Sequence, residues 1–349
     1  VAANSPAPAG ASGLSPFRTA PAVFFILLII LAAAGRLAYG YFSYLRSPEP
    51  ALQEVTLVEV APGMTFRQIA RLLEGRKVVS HRRYFELAAV QKRVTTRMQA
   101  GTYTFRPGYT PLQVLDIISR GDVTVWKLAA PEGLSIYEIG RRLAALGNWS
   151  EEKFVAAATD AARAHEAGAP VASLEGYLFP AVYNLRLSMS EDKVAELMLA
   201  RGKKEMTEAR LARARQLGLT WHQVLTLASL VEKETAARDE MPLIAGVFMD
   251  RLKHKMPLQS DPTVVYGDPD FTGPITKKDL LRPGPYNTYL HQGLPPGPIC
   301  NPGADAIEAA LHPSDTGYLY FVADGSGRHV FSKTYLEHLK NVIKYRKGQ

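Results

Sequence analysis

Cysteine is nearly absent from this chain of 349 residues: Cys300 stands alone. A single thiol excludes an intrachain disulfide framework and a cysteine-based zinc site. No C-x-x-C pair, Walker-type glycine loop, H-E-x-x-H or G-x-S-x-G occurs, which removes the usual nucleotide, zinc-protease and serine-hydrolase readings. Acidic excess is lacking too, since 41 Lys and Arg against 33 Asp and Glu leave a net charge of +8. Such a balance favours polyanionic partners without separating nucleic acid from anionic lipid or an acidic wall polymer. What is present, 47% hydrophobic and 21% charged residues, is the composition of a globular chain. Its length accommodates one large domain or roughly two to three ordinary ones.

Long apolar runs are equally scarce, with one exception near the beginning. Val1 to Phe17 carry no charged side chain and are rich in Ala, Pro, Ser and Gly, so residues 1–19 read as a disordered tail. Between Arg18 and Arg36 lies an uncharged run centred on Val23 to Ala34. It is slightly short for a hydrocarbon core of about 30 Å, which requires ~20 residues. The deficit closes if the helix continues through Leu37 to Phe42, with Arg36 snorkelling and Tyr39 and Tyr41 at headgroup level. A membrane-spanning helix is therefore predicted over 20–45. The alternative, a cleaved signal peptide, calls for an Ala-x-Ala site after the run, where Arg36 stands instead. Arg18 precedes the span while Arg36 and Arg46 follow it, so charge counting leaves the orientation open.

The rest of the chain opens with an internal repeat. Pro62-Gly-Met-Thr-Phe-Arg-Gln-Ile-Ala-Arg-Leu-Leu73 reads as a turn, a Thr65 N-cap and a short amphipathic helix. Glu132-Gly-Leu-Ser-Ile-Tyr-Glu-Ile-Gly-Arg-Arg-Leu143 repeats it, Gly63 matching Gly133, Thr65 matching Ser135 and Ile69 matching Ile139. Each copy then reaches an expected extended segment, Gly101 to Phe105 and Gly176 to Phe179, followed by helices at Pro111–Ser119 and Glu191–Ala200. Two small α+β modules are expected, over 52–125 and 126–205. The first, with strand Val55–Val60 before Pro-Gly-x-Thr, resembles a LysM-type carbohydrate-binding module; the alternative is that both copies are spacers without ligand.

Residues 206–349 hold the candidate chemistry. Thr220-Trp-His-Gln223 fits a capping box. The helix it starts puts Val224, Leu227, Ala228, Leu230 and Val231 on one side and His222, Thr226, Ser229 and Lys233 on the other. On this wheel Glu234 lies within roughly 60° of the apolar centre and Glu232 about 100° away. Glu234 is thus the carboxyl better placed for desolvation, which raises a carboxyl pKa towards the range a general acid needs. Against that stands an ordinary surface ion pair near a helix end. Downstream, Pro283 to Gly303 holds too many prolines and glycines for regular structure, and a pinned loop of that length commonly builds a binding surface. Gln259, Tyr286, Asn287 and Tyr289 offer aromatic faces and amides suited to sugar rings and N-acetyl groups. Tyr318–Ala323 and Arg328–Ser332, joined through Asp-Gly-Ser-Gly, carry a hairpin signature.

Five motifs in order, Leu227-Ala-Ser-Leu-Val-Glu-Lys-Glu-Thr235, Met256-Pro-Leu-Gln-Ser-Asp-Pro-Thr263, Tyr286-Asn-Thr-Tyr289, Gly293-Leu-Pro-Pro-Gly-Pro298 and Tyr318-Leu-Tyr-Phe-Val-Ala-Asp-Gly325, resemble the MltG-like (YceG-like) endolytic murein transglycosylases. The resemblance implies an α+β protein with an N-terminal transmembrane helix, LysM-like modules and a lysozyme-like α+β catalytic domain over 206–349. It also implies a single-pass inner-membrane protein, its tail in the cytoplasm and its catalytic domain outside. The substrate implied is peptidoglycan glycan strands, cut between N-acetylmuramic acid and N-acetylglucosamine with a 1,6-anhydro product. Wall-synthesis enzymes are implied partners; nucleic acid, metal and cofactor are not. By similarity to lysozyme-like transglycosylases, where an apolar helix ends in Glu-Ser and Met-Gln follows, Glu234-Thr235 and Leu258-Gln259 take those places and Glu234 is the acid, then the base. Gln259, Tyr286 and Asn287 are expected to hold substrate and Glu232 to tune Glu234 by like-charge repulsion. Asp261 and Glu232 are the nearby carboxylates, neither expected to be a nucleophile. Cys300 departs from the small residue expected there. A hydrolytic muramidase on the same helix and a non-catalytic, membrane-tethered wall-binding scaffold remain the competing readings.

Overall fold

The computed structural model describes residues 20–268 and 271–346, so the expected tail at 1–19 lies outside the described residues. The chain is a mixed α+β protein that divides into two units between Thr124 and Val125.

The first unit begins with the apolar helix α1 (Ala20–Arg46), followed by β1 (Thr56–Val60), α2 (Phe66–Gly75), α3 (Arg82–Gln91), β2 (Gly101–Phe105) and α4 (Pro111–Arg120). From Val23 to Gly40 every side chain of α1 is exposed, and the helix is long and apolar enough to cross a membrane. Its last turns belong instead to a protein core. Tyr41 and Leu45, one turn apart, are buried, and the Tyr41 hydroxyl donates to Gln91 Oε1 at 2.7 Å. The expected headgroup position therefore does not apply to Tyr41, which the helical spacing turns inward; Tyr39 stays exposed. Strands β1 and β2 pair antiparallel, Val58 opposite Tyr103, and alternate burial puts Val58 and Val60 inward. The Thr65–Gln68 capping box starts α2, and Thr110–Gln113 does the same for α4, which ends on the left-handed Gly121 (φ 73°). Val58, Ile69, Leu73, Phe85, Phe105 and Ile118 close a core of the unit's own.

The second unit repeats the plan with β3 (Trp126–Ala130), α5 (Ile136–Ala144), α6 (Glu151–Ala158), α7 (Ala161–Glu166), β4 (Ala181–Leu185) and α8 (Glu191–Lys203). Ser135 and Glu138 form the capping box that matches Thr65 and Gln68. One expectation is corrected here: Gly176 to Phe179 form a turn, and the strand follows at Ala181–Leu185, antiparallel to β3. The equivalent of Tyr103 is consequently Tyr183. Each donates its hydroxyl to the carbonyl four residues earlier, Tyr103 to Gln99 at 2.7 Å and Tyr183 to Phe179 at 2.5 Å. After this copy come α9 (Glu208–Gln216), α10 (Trp221–Glu234), α11 (Met241–Lys253), a 3-10 turn at Asp261–Val264, a second at Asp279–Leu281, and α12 (Ala304–Leu311). The hairpin β5 (Tyr320–Ala323) and β6 (His329–Ser332) and the helix α13 (Tyr335–Arg346) end the described chain. One core runs without interruption from Leu128 of the second copy through α10 to Leu311 of α12.

Candidate active site

The site is built on α10. Most of the wheel's polar side is not a solvent face: His222, Thr226 and Ser229 are buried, because the proline-rich loop lies over them, while Lys233 near the helix end is exposed. The Ser229 hydroxyl donates to Thr226 O at 2.8 Å and accepts the Ile299 N–H at 3.0 Å. His222 Nε2 lies 2.9 Å from Pro296 O, so that nitrogen carries the proton and Nδ1 accepts the Tyr177 hydroxyl at 3.0 Å. A helix buried on both sides holds its end in a fixed place.

That end is Glu234, after which Thr235 leaves in extended conformation (φ −146°, ψ 142°). Glu234 is enclosed by protein on most sides yet keeps part of its surface open. Burial is the first cause of a carboxyl pKa raised to about 7, and the charge of Asp261 adds to it. The partial negative charge of a helix C-terminus acts in the same direction. Opposing them, the Ser260 hydroxyl donates to Glu234 Oε1 at 2.5 Å, and the Arg251 guanidinium favours the charged form.

Ser260 is held by a ladder that joins two of the sequence motifs. Its N–H donates to Thr288 Oγ1 at 2.9 Å, and its carbonyl accepts the Thr263 hydroxyl at 2.6 Å. Buried Arg251 donates to Leu258 O at 2.6 Å and to Leu319 O at 2.7 Å, fixing the turn just before it. Within that turn Gln259 has φ 54°, and its N–H donates to Thr288 O at 3.2 Å. A left-handed non-glycine residue costs about 1–3 kcal/mol and persists where its surroundings over-determine it. The Gln259 side chain is exposed beside the residue that touches Glu234.

The other expected site residues divide. Asp261 is close enough to raise the Glu234 pKa, and its carboxylate accepts the Tyr289 hydroxyl. Tyr286 is half-buried and packs on Tyr266, with ring centroids 4.6 Å apart. Two expectations are corrected. Asn287 is buried and its amide is committed to the loop: Nδ2 donates to Leu280 O (3.0 Å) and Arg282 O (2.7 Å), while Oδ1 accepts the Tyr289 N–H (2.8 Å). Its amide groups are thus engaged within the loop, although the residue still contributes to the wall of the cavity beside Tyr286. Glu232 does not tune Glu234. Two residues along a helix is a rotation of about 200°, and its carboxylate accepts the Gly303 N–H at 2.9 Å, at the start of α12. Its electrostatic neighbours are Glu132, Asp305 and Arg238.

Sequence reasoning missed Ser260 and Arg251 as partners of Glu234, though Ser260 lies inside a motif it had singled out. It also missed Glu175, 1% exposed. This carboxylate accepts the Ile136 N–H at 3.0 Å, Asn301 Nδ2 at 2.7 Å and the Tyr266 hydroxyl at 3.0 Å. Burial raises its pKa to about 8. Gly176 beside it has φ 84°, and a Cβ there would sit 2.4 Å from Pro298 Cγ, so only glycine fits. An acid directly before Gly-Tyr-Leu-Phe was the available signal.

Fold and site define an α+β protein with an apolar N-terminal helix and a carboxyl, Glu234, raised by burial at the partly open end of a buried helix. The YceG-like family matches residues 58–344. An endolytic murein transglycosylase of Bacillus subtilis strain 168 is 31% identical over 331 residues, covering 90% of this chain and 91% of that protein. Its namesake in Streptococcus pneumoniae serotype 2 is 30% identical, covering 92% of this chain but 64% of that longer protein. The crystal structure of a yceG-like protein from Listeria monocytogenes superposes with a TM-score of 0.58 at 31% identity, covering 82% of this chain and 98% of that one. The chain belongs to the YceG-like family.

Proposed function

We propose that this protein is an endolytic lytic transglycosylase of peptidoglycan, with Glu234 as its acid and then its base. Two relatives at 31% and 30% identity bear that activity in their names, and the observation that carries the mechanism is the Glu234 carboxyl, raised to about 7 at a partly open position. Protonated Glu234 gives its proton to the departing glycosidic oxygen between N-acetylmuramic acid and N-acetylglucosamine. The resulting carboxylate then takes the proton of the muramoyl 6-hydroxyl as that oxygen bonds to the anomeric carbon. The strand ends in a 1,6-anhydro sugar and Glu234 is protonated again. Ser260 steadies the carboxylate between the two steps, and Gln259 and Tyr286 offer polar and aromatic contacts to the strand.

A second reading has its own support. Asp261 acts on Glu234 electrostatically, and a second carboxylate is what hydrolysis by a glycosidase requires. Engagement by Tyr289 disfavours Asp261 as a nucleophile. The exposed run of α1 supports a single-pass membrane anchor, and a peptidoglycan substrate would require the second unit on the outer side of that membrane. The two strand–helix–helix–strand copies support LysM-like modules, and the site helix a lysozyme-like plan.

Mass spectrometry of glycan strands after incubation with the protein tests the reaction. We expect 1,6-anhydro termini from the wild type, about a thousandfold less product from E234Q, and activity within about threefold of wild type from E232Q. Reducing ends in place of anhydro ends would establish the muramidase, and unaltered strands the scaffold.

A further inference from the structure

Two adjoining cavities of about 320 and 330 Å³ share a wall made by Tyr266, Gly267 and Asp268. The first is lined on its other side by Thr263, Arg282 and Tyr286; the second by Tyr137, Arg141 and Lys233. Glu234 lines neither, but its chain neighbour Lys233 and the Asp261 neighbour Pro262 both line the second. The cavities therefore flank the segments that hold the site.

The shared wall is set from the second copy of the repeat. Tyr266 is half-buried; one face rests against Tyr286, and its hydroxyl donates to Glu175 Oε2 at 3.0 Å. Glu175 cannot shift without breaking its bonds to Ile136 at the start of α5 and to Asn301 of the proline-rich loop. Asn301 in turn accepts the Gly176 and Leu178 N–H groups at 2.9 Å. Tyr137, one residue beyond Ile136, brings α5 itself to the second cavity. Half-exposed tyrosine rings with polar groups around them suit the apolar faces and hydroxyls of sugars.

We propose that Tyr266 divides two neighbouring saccharide subsites and that Glu175 is the positioning residue that fixes its ring, so that the second repeat is a wall of the substrate groove and not a spacer. The inference rests on the reading of the site as peptidoglycan-cleaving and names where the strand lies. It requires Tyr266 to act in binding more than in turnover.

The test uses the full chain and uncrosslinked peptidoglycan strands, with Y266A, Y266F, E175Q and the Y266F/E175Q pair. Y266A is expected to raise KM about tenfold with a smaller change in kcat, and to weaken strand binding similarly in an E234Q background. Y266F and E175Q should each raise KM about threefold. The pair should do no more than either alone, because Glu175 acts on the strand only through the Tyr266 hydroxyl, which Y266F already removes. If Y266A does not fold, Y266F keeps the ring and carries the comparison. An unchanged KM in folded Y266A, or additive losses in the pair, overturns the proposal while leaving the transglycosylase reading intact. If the wild type cleaves no strand and E234Q binds none, both fall together.

Discussion

The two copies of the strand–helix–helix–strand unit start alike and end differently. Both open on a capping box, Thr65–Gln68 and Ser135–Glu138, and both anchor the second strand through a tyrosine hydroxyl. The first copy seals its core with its own residues and the last turns of α1. In the second the core stays open towards α10 and α12, and a segment with no counterpart, holding α7 and the Glu175 turn, lies between its second helix and second strand. One module thus remains self-contained, while an insertion bearing one buried carboxyl ties the other to the site.

Cutting the chain is the harshest way to break this contrast. A fragment of residues 37–124 should unfold cooperatively on heating, and residues 125–349 should keep at least about a third of the cleavage rate. Residues 206–349 alone should show neither a cooperative transition nor activity, since the second copy completes their core. If that short fragment folds and cleaves, the second copy is a spacer after all.

A gentler version removes one core side chain from each copy. Phe105 and Phe154 are both fully buried, and truncation to alanine should cost about 3–5 kcal/mol in either case. The consequence should differ: F154A should lower cleavage along with the stability of the second unit, whereas F105A should leave the rate of the folded protein unchanged. Denaturant melts followed in parallel with activity distinguish these outcomes.

The smallest effect concerns the caps. T65A and S135A should each lose about 1 kcal/mol, read as the midpoint shift in urea. The loss in S135A should be the smaller, because Glu175 still satisfies the Ile136 N–H in the same first turn.

Much of this was legible in local patterns. Thr65, Ser135 and Thr220 announce helix starts because a cap needs only residues three apart, and the alternation in β1 and the turn before β6 are equally local. Helix rotation set Glu234 apart from Glu232, with the likeness to lysozyme-like transglycosylases completing the choice, and the two side chains do leave α10 on different sides. Other residues depended on chain far away. A wheel gives the direction of His222 and Ser229, but not that a loop some 70 residues later covers them. Asn287 looked like a sugar ligand because nothing in its motif reveals carbonyls at Leu280 and Arg282 turned towards it. The second copy's strand was placed too early because the inserted Gly176–Phe179 turn imitates the first copy's strand sequence.

Raising the pKa of a carboxyl also has a stability cost whose sign is fixed. With Glu234 at about 7 in the folded protein against an ordinary 4.5, the unfolded chain releases this proton first as pH rises. Stability is lost between those values and stays lower above them, by about 1–3 kcal/mol. E234Q should therefore be the more stable protein at neutral pH, as well as the inactive one.

The most direct measurement is kcat/KM on purified strands as a function of pH, for the wild type and S260A. The wild type should show a descending limb with its midpoint near pH 7, where Glu234 loses the proton it must donate. In S260A the midpoint should move to higher pH, because the lost hydrogen bond had favoured the charged carboxylate. A limb at the ordinary carboxylate value, or a midpoint that S260A moves downward, would contradict the assignment of Glu234 as the acid.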